Sequence, residues 1–293
     1  MSPGLGSIDM VVLDVDGVVV NVENSYRRAI RETIQHLFDH GVEDRSIQLL
    51  KDAGGFNNDW DVTYALALYK LALGEGYQTS VEAWAEKIEA KGGGLRGAKI
   101  VIDNSLDTVE LGRVYEDWNP ERMKEVFQQL YLGNQLYEKI ENKSAKLDTS
   151  GFILSEPIIL TEEVREHLQS RYHFGILTGR PKIEAQIALR RARIELADSM
   201  VYTMEDWRFS KPDPTALIEL AKKADASDIV FVGDTLDDVK TALNANEGDP
   251  SRSYYGVGVL TGGLTGEQGR EKYMEEGAQE VLETVNDLPA RIS

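Results

Sequence analysis

The chain has 293 residues, 42% hydrophobic and 28% charged, with a formal net charge of -18 from 50 acidic against 32 basic residues. That acidic excess argues against a nucleic-acid backbone or an anionic membrane surface as partner, since both require a basic face, and the absence of cysteine excludes disulfides, thiolate catalysis and thiolate metal sites. The length suits two compact units, and with no apolar run of membrane-spanning length and no basic region leading into an export segment, the expected location is the cytoplasm.

The first predicted element carries the first chemistry. Ile8 to Val20 reads IDMVVLDVDGVVV, and Met10 to Val15 is an aliphatic, β-branched run without strict alternation, the pattern of a fully buried parallel strand. Asp14 and Asp16 stand at its carboxyl end, ahead of the glycine turn at Gly17. Open α/β sheets bind their ligands there. Two carboxylates one residue apart are not core packing, because burying them unpaired costs several kcal/mol. Either they cap and solvate a turn, or they face one divalent metal with hard oxygen ligands.

Asn21 to Asp39 has helical period, with Tyr26, Ile30, Ile34, Leu37 and Phe38 on one stripe. The polar, glycine-rich loop Lys51 to Asp61 precedes a helix over Val62 to Leu73. Thr79 with Glu82 reads as a capping box for a helix ended by Gly92 to Gly94, and Asn119-Pro120-Glu121 opens another. Short strands are possible at Lys99 to Ile102 and Phe152 to Leu154. This gives a helical module over 21–155, inserted between 1–20 and 156–293.

After Pro157 strands and helices alternate: a helix over Thr161 to Tyr172, a strand over His173 to Thr178, a helix over Ile183 to Arg193, a short strand over Met200 to Thr203 and a helix over Pro214 to Ala224. A strand over Ile229 to Gly233, a helix over Thr235 to Asn244, a strand over Val257 to Leu260 and a terminal helix follow. Such alternation predicts a parallel sheet with helices on both faces.

Polar clusters end three of these segments. In LTGRP, Thr178 and the Gly179 amide can hold an anion ahead of a helix N-terminus, or Thr178 is a plain cap. In FSKPDP, Lys211 is either a cation fixed at the same rim or a solvated lysine. In FVGDTLDDV, Asp234, Asp237 and Asp238 crowd one turn, tolerable only with a cation nearby or full solvation. The four histidines, His36, His40, His167 and His173, lack ligand spacing; GGGLRG at Gly92 to Gly97 lacks the lysine and hydroxyl of a P-loop and reads as a flexible connection; GVLTGG is open to bordering the site but is assigned no part in it.

D-x-D-G, T-G-R, K-P and G-D-x-x-x-D, in this order, resemble the haloacid dehalogenase superfamily, in particular its phosphoglycolate-phosphatase-like subfamily IA. The resemblance implies an α/β fold: a Rossmann-like core at both ends of the chain, and an inserted, mainly helical C1 cap longer than usual. It implies Asp14 as nucleophile, Asp16 as general acid and base, and Mg²⁺ held by Asp14, Asp234, Asp238 and the main-chain carbonyl of Asp16. Thr178 and Gly179 would bind phosphoryl oxygens and Lys211 would stabilise their charge, with Asp237 in a supporting or capping role. Arg180 would contact phosphate or pair with an acidic neighbour. The glycine-containing cap loop would read the leaving group through Lys51, Asn57, Asn58 and Asp61, or close on its own Asx turns over Phe56 and Trp60. The implied activity is Mg²⁺-dependent hydrolysis of a small phosphorylated metabolite by a monomer or homodimer. A phosphomutase and a non-catalytic metabolite-binding protein are the alternatives.

Overall fold

The computed structural model of the chain describes residues 5–56, 58–206 and 210–293. Strand β1, Met10–Leu13, is completely buried and pairs in parallel on both sides. Eight helices follow: α1 Glu23–Phe38, α2 Asp44–Asp52, α3 Asp59–Gly74, α4 Val81–Glu89, α5 Gly94–Asp103, α6 Thr108–Asp117, α7 Pro120–Leu132 and α8 Asn134–Glu141. Then come α9 Glu162–Arg171, β2 His173–Leu177, α10 Lys182–Arg191, β3 Val201–Tyr202, α11 Thr215–Ala224, β4 Asp228–Gly233, α12 Leu236–Gly248, β5 Ser253–Val259, α13 Gly266–Glu276 and β6 Glu280–Leu282. The chain divides into two compact units, Met1–Glu23 with Glu156–Ser293, and Asn24–Ser155.

In the first unit six parallel strands lie in the order β3-β2-β1-β4-β5-β6. The lack of alternation in β1 follows from two covered faces: Val11 and Leu13 pack with Leu168 and Ala188 on one side, Met10 and Val12 with Leu220 and Ala242 on the other. Leu13 pairs with Ile176 of β2 and Val232 of β4. The three strands that carry polar clusters therefore end side by side. β6, which sequence reading leaves out, is only three residues long. The segments leaving and re-entering this unit clasp each other: the Asn21 N–H donates to the Pro157 carbonyl at 2.8 Å, the Ile159 N–H to the Val19 carbonyl at 2.9 Å, and Val20 and Ile158 form an antiparallel bridge.

The second unit is helical throughout its regular elements and corrects four local expectations. Lys99 to Ile102 lies inside α5. Gly94, Gly97, Ala98, Val101 and Ile102 are its buried residues, spaced as one helix face, and that period overrides the β-branched run. Phe152–Ser155 is a 3₁₀ helix instead of a strand. The N-cap of α4 is Ser80, not Thr79; its side chain accepts the Ala83 N–H. Gly92 to Gly94 is not a loose tether: Gly93 caps α5, which begins at Gly94.

Those glycines meet the glycines of the Lys51 to Asp61 loop backbone on backbone. The Gly94 N–H donates to the Gly54 carbonyl at 2.8 Å. A Cβ on Gly93 would lie 2.4 Å from the Gly54 carbonyl oxygen, and one on Gly55 would lie 2.7 Å from the Gly94 nitrogen. Gly55 and Gly93 also have φ of 74° and 75°, where other residues are strained.

Candidate active site

The site is assembled where β1, β2 and β4 end. Asp14 continues the ladder from β1, its N–H donating to the Val232 carbonyl at 2.9 Å. Its Oδ1 accepts the Val15 N–H at 2.7 Å and its Oδ2 accepts Lys211 Nζ at 2.7 Å. The chain then turns through Gly17, at φ 66°, whose N–H reaches the Val20 carbonyl. A Cβ on Gly17 would lie 2.4 Å from Asp234 Oδ2. Glycine is thus required twice over, by its backbone and by the carboxylate lodged against it.

From β4, Asp234 and Asp238 are both buried. Asp238 serves two purposes. Its Oδ2 accepts the Thr235 N–H and O–H at 2.9 and 2.7 Å, closing a capping box on α12, while its Oδ1 accepts Lys211 Nζ. The capping role expected of Asp237 therefore belongs to Asp238; Asp237 is exposed. Gly233 makes the close turn possible, since a Cβ there would sit 2.2 Å from that of Asp238.

Asp14, Asp234 and Asp238 each offer one carboxylate oxygen, and the three lie within 4.8 Å of one another. Lys211 is their sole basic contact among the described residues, and it touches Asp14 and Asp238. Asp234 accepts a hydrogen bond from the Gly263 N–H at 3.2 Å and has no basic partner among the described residues. Burial pushes Asp14 up to about 6 against the pull of Lys211, with Asp238 and Asp16 adding repulsion. Burial, then Asp14, Asp238 and Asp16, hold Asp234 well above the usual carboxylate range. Burial alone would lower Lys211, but the Asp14 and Asp238 carboxylates outweigh it and hold the ammonium above its ordinary value. Three buried hard oxygens with a single cation fit a divalent metal such as Mg²⁺. The Asp16 side chain stands outside this group, so only its main-chain carbonyl remains for the part assigned to it.

Thr178 and Gly179 follow β2 at the same rim. Thr178 is buried, and its hydroxyl oxygen accepts the Arg180 N–H at 3.2 Å. Gly179 has open space where a Cβ would be. Arg180 is buried, its Nε on Asp16 and its Nη2 on Glu156 at 3.0 Å. Of the two readings open for Arg180, the pairing with acidic neighbours is the one formed in the structure.

In the other unit, the loop residues are engaged locally. Lys51 pairs with Asp59 at 2.9 Å. Asn58 caps α3, accepting the Asp61 N–H at 2.8 Å and donating to the Asp61 carboxylate at 3.0 Å. These are the Asx-turn contacts of the alternative reading, and Asn57 lies outside the described residues. Phe56 is half-buried, and Trp60, also half-buried, carries Lys124 Nζ 4.0 Å from its ring centroid.

Four residues of the site have no role in the sequence reading, three of them within GVLTGG. Thr261 donates its hydroxyl to the Gly17 carbonyl at 2.5 Å. Gly262 would put a Cβ 1.9 Å from Asp234 Oδ2, and Gly263 supplies the hydrogen bond to that oxygen. The signal was the pair of glycines just beyond β5, at the same sheet end as the other motifs. Glu156, buried at the re-entry into the sheet unit, had no local signal.

The family model of the haloacid dehalogenase-like hydrolases matches residues 8–246. Among curated proteins, an imidazoleglycerol-phosphate dehydratase of Phytophthora nicotianae is 26% identical over 237 residues, which are 79% of this chain but 40% of that protein. The chain thus spans well under half the length of that relative. Among solved structures, phosphatase Tt82 from Thermococcus thioreducens superposes with a TM-score of 0.63 at 23% identity, covering 84% of this chain and 91% of that one. A predicted phosphoglycolate phosphatase from Haemophilus somnus gives a TM-score of 0.56 at 15% identity over 97% of each chain. At these identities the two structures establish a shared fold.

Proposed function

We propose that this chain, which belongs to the haloacid dehalogenase-like hydrolases, is a Mg²⁺-dependent phosphatase of a small phosphomonoester, working through an aspartyl-phosphate on Asp14. The supporting observation is the trio of Asp14, Asp234 and Asp238 oxygens within 4.8 Å, with Lys211 on two of them. A second carboxylate, Asp16, stands two residues beyond the nucleophile.

An Asp14 oxygen attacks phosphorus, the phosphorus–oxygen bond to the alcohol breaks, and Asp16 hands its proton to the departing oxygen. Asp16 then takes a proton from water as that water attacks the phosphorus; phosphate leaves and the Asp14 carboxylate is restored. The Thr178 hydroxyl, the Gly179 N–H and the Lys211 ammonium hold the phosphoryl oxygens while negative charge develops on them. Asp14, Asp234, Asp238 and the Asp16 carbonyl would hold Mg²⁺, which would supply the positive charge that lets an anionic nucleophile approach an anionic ester.

Phosphate release from a panel of esters with Mg²⁺, beside Asp14→Asn and a chelator control, tests this reading. The panel holds phosphoglycolate, sugar and polyol phosphates and, prompted by the name of the dehydratase relative, imidazole-bearing phosphates such as histidinol phosphate. Release that Asp14→Asn and the chelator both abolish is expected. Isomerisation of a sugar phosphate without release would make the chain a phosphomutase instead.

A further inference from the structure

We propose that Arg180 and Glu156 are positioning residues that hold the Asp16 carboxylate in the orientation from which it protonates the leaving alcohol, an inference that rests on the phosphatase reading above. The three side chains form one row. Asp16 Oδ1 accepts Arg180 Nε, and Glu156 Oε2 accepts Arg180 Nη2 at 3.0 Å. Exposure falls along it, from 30% for the Asp16 side chain to 1% for Arg180 and 0% for Glu156. The accessible end is the proton carrier.

Every other member is fixed from behind. The Arg180 N–H donates to Thr178 Oγ1 at 3.2 Å, and its carbonyl accepts the Met204 N–H at 3.0 Å. The Glu156 carbonyl accepts Arg191 Nη2, from the end of α10, at 2.5 Å. A guanidinium is a planar fork with fixed donor directions, so locking its Nη2 edge on Glu156 also sets the direction of its Nε–H. Asp16 is thereby aimed by a side chain that does not itself reach solvent.

Two simpler roles fit less well. A phosphate ligand would have to win Arg180 from two carboxylates in a place with almost no solvent access. Structural glue is a poor reason for a hidden arginine–glutamate pair, because well-packed apolar residues serve stability as well or better. What an apolar pair does not do is orient a carboxylate.

The test is leaving-group dependence. With Mg²⁺ and the full chain, kcat and KM are measured on 4-nitrophenyl phosphate, whose phenolate departs without a proton, and on glycerol phosphate, whose alkoxide needs one. Wild type is compared with Glu156→Gln and Arg180→Lys. Expected is a fall in kcat/KM, which reports the chemistry up to departure of the alcohol, of about 10²-fold on glycerol phosphate but within about threefold on the aryl ester, while kcat, which includes the water step where Asp16 is the base, falls on both. Equal losses of kcat/KM on both esters, or a raised KM with kcat kept, would overturn the inference while leaving the phosphatase reading intact. No wild-type turnover of either ester would sink that reading and the inference with it. Circular dichroism and thermal melting confirm folding. Should Glu156→Gln not fold, Glu156→Asp, which keeps the anion, carries the same comparison.

Discussion

Glycine does opposite work in the two units. At the sheet end, Gly17 and Gly262 leave room for a side chain, since both would otherwise place a Cβ against the carboxylate of Asp234. In the helical unit, Gly55, Gly93 and Gly94 leave room for backbone, where two loops meet main chain to main chain. The first set is there for a charge and the second for a shape. Substitution should therefore damage chemistry in one unit and stability in the other.

Gly262→Ala is the largest test. Its Cβ would lie 1.9 Å from Asp234 Oδ2, so the carboxylate must move. Phosphate release is expected to fall by about 10²- to 10³-fold, the scale of a displacement near 1 Å at a reacting centre, with Mg²⁺ affinity by calorimetry falling alongside. Gly93→Ala comes next. A clash with the Gly54 carbonyl in a left-handed backbone should cost on the order of 4 kcal/mol in denaturant unfolding, while Mg²⁺ affinity stays at the wild-type level. Activity lost at Gly93 without loss of stability would break the comparison.

A third test uses pH. Asp14 is pushed up to about 6 in the folded protein by burial, so the folded state binds its proton more tightly than the unfolded state does. Stability from this group is complete below about pH 4 and is lost as pH rises to about 6, a change of about 3 kcal/mol, and Asp234 shifts in the same direction. Chelated protein should melt lower at pH 7 than at pH 5, and Mg²⁺ should narrow the difference. A melting temperature that rises over this interval in chelator would contradict the buried, cation-poor trio. The smallest test is Gly112→Ala in the middle of α6, where a Cβ would meet nothing. It should stabilise by about 0.5–1 kcal/mol, read as a rise in melting temperature.

The contrast also explains what was legible beforehand. Asp14, Asp16, Thr178 and Asp234 announce themselves because hydrophobic strands stop at or just before them, and a polar group at a buried strand's end is visible in one dimension; Lys211 is marked by the proline after it and Asp238 by the acidic turn it shares. Glu156 is not, because its burial depends on Arg180 and Arg191, far along the chain. Nor is Gly262, whose meaning lies in the distance to Asp234. In the helical unit, α5 was open to a strand reading because its β-branched residues are local, whereas Gly97, 3.0 Å by its absent Cβ from the Ile88 carbonyl, is a statement about a neighbouring helix. Loop residues such as Asn58 looked like ligands because amides that bind sugars and amides that cap helices are the same amides.

The clasp of Val19 to Asn21 against Pro157 to Ile159 has a consequence for ancestry and engineering. With Asn21 and Pro157 hydrogen-bonded at 2.8 Å, everything between them is a detour that begins and ends at one place. Closing that gap with a few residues would cost little entropy, since loop closure scales only with the logarithm of loop length. No strand of the sheet crosses it. The intervening helices are a graft on a closed stem, exchangeable for another insert without re-threading the sheet.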